Sequence, residues 1–167
     1  MSEIIIIAAM AENRIIGRDS RLPWSIGEDM KHFRELTRGW PCIMGRKTWE
    51  SLPKKPLPGR PNIVVSKSLT QGSEAAVFPS LEEALEHCRD SAKVYICGGE
   101  MIYREAMEYA DSIELTLIRA EYEGDAFFPE FDSSLWEEQE REDHENFSFI
   151  RYRRRNTAST EKPLKKT

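Results

Sequence analysis

Asp29 is the residue in this chain with the most chemistry to offer. Helical spacing sets it on the face of Ile26, Met30, Phe33 and Leu36, so a carboxylate stands beside an apolar stripe. In such surroundings it can bind a cationic or amidine-like ring edge and assist proton transfer. The plainer reading is a first-turn acid favoured by the helix dipole, and spacing alone leaves both open. A second chemistry is offered where strands run into helices, because helix N-termini attract anions. One such junction is Met44-Gly45-Arg46-Lys47-Thr48. The other is Cys97-Gly98-Gly99-Glu100-Met101, where paired glycines let backbone N–H groups approach a ligand. Neither is a named nucleotide fingerprint. There is no G-x-G-x-x-G, and Gly39 to Thr48 has five residues between its glycines and Arg46 in place of the P-loop lysine. Tight turns at helix starts would read the same way.

Charge favours ligands at these junctions. The 167 residues carry 24 Lys+Arg against 29 Asp+Glu, a net charge of −5. Residues 151–167 hold seven basic residues and one acid, which leaves residues 1–150 at net −11. A body so acidic repels a phosphate backbone, so nucleic acid is not an expected partner. Inside it, residues 46–67 set Arg46, Lys47, Lys54, Lys55, Arg60 and Lys67 against Glu50 alone. This local reversal suits small polyanions, although a solvated proline-rich loop would carry the same charges.

Strand and helix signals alternate along the chain. Ile4–Ala11 is apolar on both faces and reads as a buried central strand. At eight residues it is far short of the ~20 that span a bilayer, and Glu3 before it makes a poor signal peptide. Ser25-Ile26-Gly27-Glu28 is a capping box opening a helix that Gly39 stops, and Gly17 to Trp24 before it reads as a lid loop. Cys42–Gly45 is a strand leading into a helix over 46–52; Asn62–Ser66 and Ala75–Phe78 are strands. Ser80-Leu81-Glu82-Glu83 caps a helix to about Arg89, Val94–Cys97 is a strand, Gly99–Tyr109 a helix and Ile113–Ile118 a strand. Leu135–Glu140 and Phe147–Arg153 read as a closing antiparallel hairpin. The expected fold is α/β on a mostly parallel sheet, one domain over residues 1–155, with 156–167 a basic disordered tail. Cys42, Cys88 and Cys97 are odd in number, and His32, His87 and His144 are scattered. No metal or disulfide is expected, and a reducing cytoplasm is the default compartment.

Five blocks, taken together, resemble one family. Ala8-Ala9-Met10-Ala11-Glu12-Asn13-Arg14-Ile15-Ile16-Gly17 with Leu22-Pro23-Trp24 and Asp29 is similar to the opening of dihydrofolate reductases. The similarity continues through Met44–Ser51, Pro56-Leu57-Pro58-Gly59-Arg60, Ile96-Cys97-Gly98-Gly99 with Tyr103, and Glu123-Gly124-Asp125 with Phe128-Pro129. In order and spacing these blocks cover residues 4–153 and resemble the bacterial chromosomal type.

The resemblance implies a central eight-stranded, mostly parallel sheet and NADPH-dependent reduction of dihydrofolate by a monomer. It assigns Asp29, Leu22, Trp24, Tyr103 and Thr116 to the reacting centre, with Thr116 orienting Asp29. Substrate would be walled by Ile7, Ala9, Met30, Phe33, Leu52, Leu57 and Cys97, and Arg60 would pair with its glutamate α-carboxylate. For the cofactor, Arg46, Lys47, Ser66 and Lys67 would hold the 2′-phosphate. Gly98 and Gly99, joined by a peptide that is typically cis in the family, would take the pyrophosphate. Ala9, Ile16, Gly17, Ser20, Gly45, Thr48, Cys97, Glu100, Met101, Ile102 and Tyr103 would complete that site. Cys97, Met101 and Gly27 depart from the usual residues, and one extra residue lies in Leu52–Pro56. Two rival readings remain: a pyrimidine reductase of riboflavin synthesis on the same fold, and a non-catalytic nucleotide-binding module.

Overall fold

The computed structural model describes residues 2–17, 27–68 and 75–155. In chain order they form β1 (Glu3–Ala11), β2 (Ile15–Gly17), α1 (Gly27–Thr37), β3 (Cys42–Gly45), α2 (Arg46–Ser51), β4 (Asn62–Val65) and β5 (Ala76–Phe78). There follow α3 (Leu81–His87), β6 (Lys93–Ile96), α4 (Glu100–Ala106), β7 (Ser112–Ile118), β8 (Ala126–Phe127), β9 (Trp136–Asp143) and β10 (Phe147–Arg154).

The run of isoleucines makes β1 the middle of an eight-stranded sheet in the order β5-β4-β3-β6-β1-β7-β10-β9. Ile4, Ile5, Ile6 and Ile7 are all buried, because helices cover both faces. β1 runs parallel to both neighbours, with Ile6 opposite Ile96 on β6 and Ile113 on β7. β3, β4 and β5 extend the parallel half. The closing hairpin is antiparallel: β10 pairs with β7 on one edge and with β9 on the other. Past Trp136, β9 is wholly exposed and almost entirely charged, so backbone pairing and cross-strand ions such as Arg151–Glu140 (3.2 Å) hold it.

Three details differ from the sequence expectation. The helix expected over 99–109 ends at Ala106, where a turn carries the chain to the buried Ala110 and into β7. The hairpin strand expected to stop at Glu140 continues to Asp143. β2 and β8 form a separate two-stranded sheet of three and two residues, too short to show a period of two. Ser25 and Ile26 of the first capping box, the lid loop from residue 18 and the tail from 156 lie outside the described residues.

Candidate functional site

The chain leaves the adjacent strands β4, β3 and β6 at residues the sequence marked for anions: Ser66 and Lys67, Gly45 to Thr48, and Cys97 to Gly99. In open α/β sheets ligands bind beyond such C-terminal strand ends. Two of the turns fuse into one surface. The Gly45 N–H donates to the Gly98 carbonyl at 2.8 Å, and the Gly98–Gly99 peptide is cis. Gly98 holds φ +112°, a conformation L side chains rarely adopt, and a Cβ there would meet the Tyr103 ring at 3.1–3.2 Å. A Cβ on Gly45 would meet Ile102 Cγ1 at 3.2 Å. The result is a cradle of bare backbone.

Charged groups surround it. Arg46 pairs with Glu50 at 2.9 Å, while Lys47 and Lys67 are exposed. Thr48 Oγ1 lies 3.4 Å from where a Gly99 Cβ would stand, and Ser66 Oγ is 3.4 Å from Ser68 Oγ. Glu100 pairs with Arg104 at 2.8 Å and accepts the Phe127 N–H at 3.0 Å. Met101 is 74% exposed at the start of α4.

Asp29 sits on the first turn of α1, and the Thr116 hydroxyl donates to its Oδ1 at 2.7 Å. Burial raises Asp29 above the ordinary carboxylate range, opposed by that hydrogen bond and by His32. The carboxylate and the glycine cradle meet on β1. Thr116 lies opposite Ala9 on β1, and the Tyr103 hydroxyl donates to the Ile7 carbonyl at 2.8 Å. Burial keeps that phenol protonated, well above its ordinary range.

Ile7 belongs to an apolar cluster against which Phe33, four residues after Asp29 on α1, packs together with Leu52, Leu57 and Cys97. Arg60 lies at its rim, donating from Nε to the Pro58 carbonyl at 2.9 Å and from a terminal nitrogen to Thr37 Oγ1 at 2.8 Å. Asn62 fixes this loop by bonding Leu57 through both N–H and carbonyl and by donating to the Arg60 carbonyl. Met30 is 50% exposed and joins no apolar cluster among the described residues. At 100° per residue it lies on the flank of the stripe that Phe33 and Leu36 occupy. Ala9 packs beside Ala11, Ile15, Ile118 and Phe147. Ile16 joins the core of Ile102 and Tyr103, with buried Gly17 after it. Ser20, Leu22 and Trp24 lie outside the described residues.

Sequence reasoning missed Thr37, which holds Arg60, and His32, whose ring stacks on Phe149 at 3.8 Å. The spacing of His32 from Asp29, three residues along a helix, was the available signal. Among the described residues no group of three or more His, Cys, Asp or Glu could hold a metal.

The family model described as dihydrofolate reductase matches residues 3–154. The chain belongs to the dihydrofolate reductase family. It is 49% identical over 142 residues to the dihydrofolate reductase of Neisseria gonorrhoeae, covering 84% of this chain and 88% of that one. With the Bacillus subtilis dihydrofolate reductase it shares 39% identity over 163 residues, covering 93% and 96%. A solved dihydrofolate reductase from Enterococcus faecalis, complexed with NADP(H) and RAB-propyl, superposes with a TM-score of 0.83 at 32% identity. That superposition covers 92% of this chain and 97% of the other. The family fold accounts for the eight-stranded sheet and its antiparallel end.

Proposed function

We propose that this chain reduces 7,8-dihydrofolate to 5,6,7,8-tetrahydrofolate with NADPH. The observation that carries the reading is one strand, β1, joining a carboxylate in apolar surroundings to a cradle of bare backbone. The cradle suits a pyrophosphate, whose oxygens need close approach to backbone N–H groups. Arg46, Lys47, Ser66 and Lys67, at the ends of the neighbouring strands, would hold the 2′-phosphate. Ala9, Ile16, Gly17, Ile102 and Tyr103 would line the rest. When bound, NADPH supplies a hydride from nicotinamide C4 to pterin C6.

The chain's own residues bind and orient. Asp29 would accept hydrogen bonds from the amino-pyrimidine edge and so favour protonation at N5. Thr116 fixes the carboxylate's direction, leaving Oδ2 for the substrate. Ile7, Phe33, Leu52, Leu57 and Cys97 would wall the rings, and Arg60 would take the α-carboxylate as a bidentate partner. Leu22 and Trp24, from the resemblance, would close over the reacting atoms and exclude water.

Purified protein with NADPH and dihydrofolate should lose reduced-nicotinamide absorbance. No loss, or loss only with a ribosylated pyrimidine substrate, overturns the reading.

A further inference from the structure

His32 stands three residues after Asp29, about one turn further along α1. The sheet beneath α1 offers these two residues a matching pair of seats. Thr116 on β7 lies directly opposite Phe149 on β10. Asp29 takes its hydrogen bond from Thr116, while the His32 ring stacks on Phe149 with centroids 3.8 Å apart and planes 11° from parallel. Carboxylate and imidazole are therefore held side by side by neighbouring strands, not by chance of rotamer.

Other charges face the same imidazole. Glu142 on β9 lies opposite Phe149, and Glu114 precedes Thr116 by two residues on the same face of β7. Glu114 is bound to Arg151 of β10 at 2.5 Å. From α1 comes Glu35, 3.9 Å from Lys31, while Glu28, one turn before His32, lies against His144. The turn between β9 and β10 brings His144, 2.6 Å from Glu142 and 4.0 Å from Glu28, its ring edge-on to Phe149. Burial draws His32 below the ordinary histidine range, while Glu114, Asp29, Glu142 and Glu35 each favour its proton.

We infer that His32 is a positioning residue which, on gaining a proton, holds Asp29 as a carboxylate and so sets where the reaction's proton-requiring limb falls with pH. The inference rests on the proposed reduction, with Asp29 as the group governing the N5 proton. By linkage the effect is mutual: a charged Asp29 must hold the His32 proton as firmly as His32 holds Asp29 ionised.

The mutual effect gives a test that needs no turnover. The His32 ring is titrated by NMR in the wild-type chain and in Asp29→Asn, which keeps an oxygen for Thr116 to donate to. The His32 midpoint should fall by on the order of half a pH unit, the size expected of charges a helical turn apart in partly solvated surroundings. An unmoved midpoint overturns the inference, however well the enzyme turns over. Single-turnover hydride transfer is then followed against pH in His32→Phe, which keeps the ring stack on Phe149. The falling limb should move to higher pH by a similar amount. A His32→Phe profile that superposes on the wild-type one also overturns it, leaving His32 a packing residue. If NADPH is never consumed with dihydrofolate, the proposed reduction fails, whereas the titration still decides the Asp29–His32 pairing.

Discussion

The Thr37 hydroxyl accepts a hydrogen bond from Arg60 at 2.8 Å while donating its own to the Phe33 carbonyl at 2.8 Å. Thr37 is fully buried, so this bond holds the guanidinium from inside the fold, and on the proposed function its remaining N–H groups would meet the substrate carboxylate. Thr37→Val should therefore preserve the fold while leaving the Arg60 guanidinium, of its bonds to Thr37 and Pro58, only the one from Nε to the Pro58 carbonyl. A hydrogen bond to a charged group contributes about 1.5–3 kcal/mol, so dihydrofolate should bind more weakly, by at most roughly 10- to 100-fold. A pterin lacking the glutamate should bind as before. Equal weakening of both would separate Thr37 from the recognition of the carboxylate.

Asp29→Asn should exchange activity for stability. Because burial raises Asp29 in the folded state, the native chain holds the Asp29 proton more firmly than the unfolded chain does. Stability from this group is thus greatest in acid, and is lost as pH rises through the unfolded and then the folded midpoint. At neutral pH the ionised carboxylate opposes folding. Asparagine removes that opposition and still accepts from Thr116. Thermal melts at pH 7 should show a higher Tm for the variant, with the gain vanishing below the ordinary carboxylate range. Hydride transfer at pH 7 should fall by roughly 10²- to 10⁴-fold. A lower Tm at pH 7 would mean that the charge is fully compensated in the fold.

Local pattern carried the fold further than it carried the site. The isoleucines of β1 announce burial on both faces, and the Ser80 cap is legible because its side chain accepts the Glu83 N–H three residues on. Such signals lie within a few residues of their cause. The contacts that assemble the site do not: Thr116 and Asp29 are 87 residues apart, and Tyr103 reaches Ile7 across 96. Periodicity cannot pair them, so only the family resemblance suggested the first, and the bonds of Thr37 and the stacking of His32 went unseen. Helical spacing also does not tell the centre of an apolar stripe from its flank, where Met30 stands half exposed.

Neutralising Arg46 and Lys47 together should separate cofactor choice from stability. Arg46 is bound to Glu50 across one exposed helical turn and Lys47 is open to solvent. Exposed pairs of this kind contribute ~0.2–1 kcal/mol, so Arg46→Gln/Lys47→Gln should melt within a few degrees of the wild type. If both side chains read the 2′-phosphate, affinity for NADPH should drop at least tenfold while that for NADH stays nearly constant. Fluorescence titration with each nucleotide measures this directly. Parallel losses would place the 2′-phosphate elsewhere.

Among the described residues, Gly124 is a glycine where an added methyl group should do particular harm. It precedes β8, whose partner β2 carries the chain toward residue 18. A Cβ on Gly124 would stand 2.4 Å from the Gly17 carbonyl oxygen and 2.6 Å from Ile15 Cγ2. The first of these is backbone, so it cannot turn aside as a flexible side-chain end could. The same Gly17 carbonyl accepts the Asp125 N–H at 3.1 Å, so displacing it also disturbs a hydrogen bond. Overpacking of this kind typically costs about 1–3 kcal/mol. The strain would fall on β2, where Ile16 packs into the core of Ile102 and Tyr103 beside the glycine cradle. Gly124→Ala should therefore lower the urea midpoint and weaken NADPH binding together. Gly27→Ala is the matched control, since a Cβ there meets nothing within 4 Å and alanine favours the first turn of α1. It should leave cofactor binding unchanged and stability the same or higher. If the two variants behave alike, the close approach of Gly124 to β2 does not exist in solution.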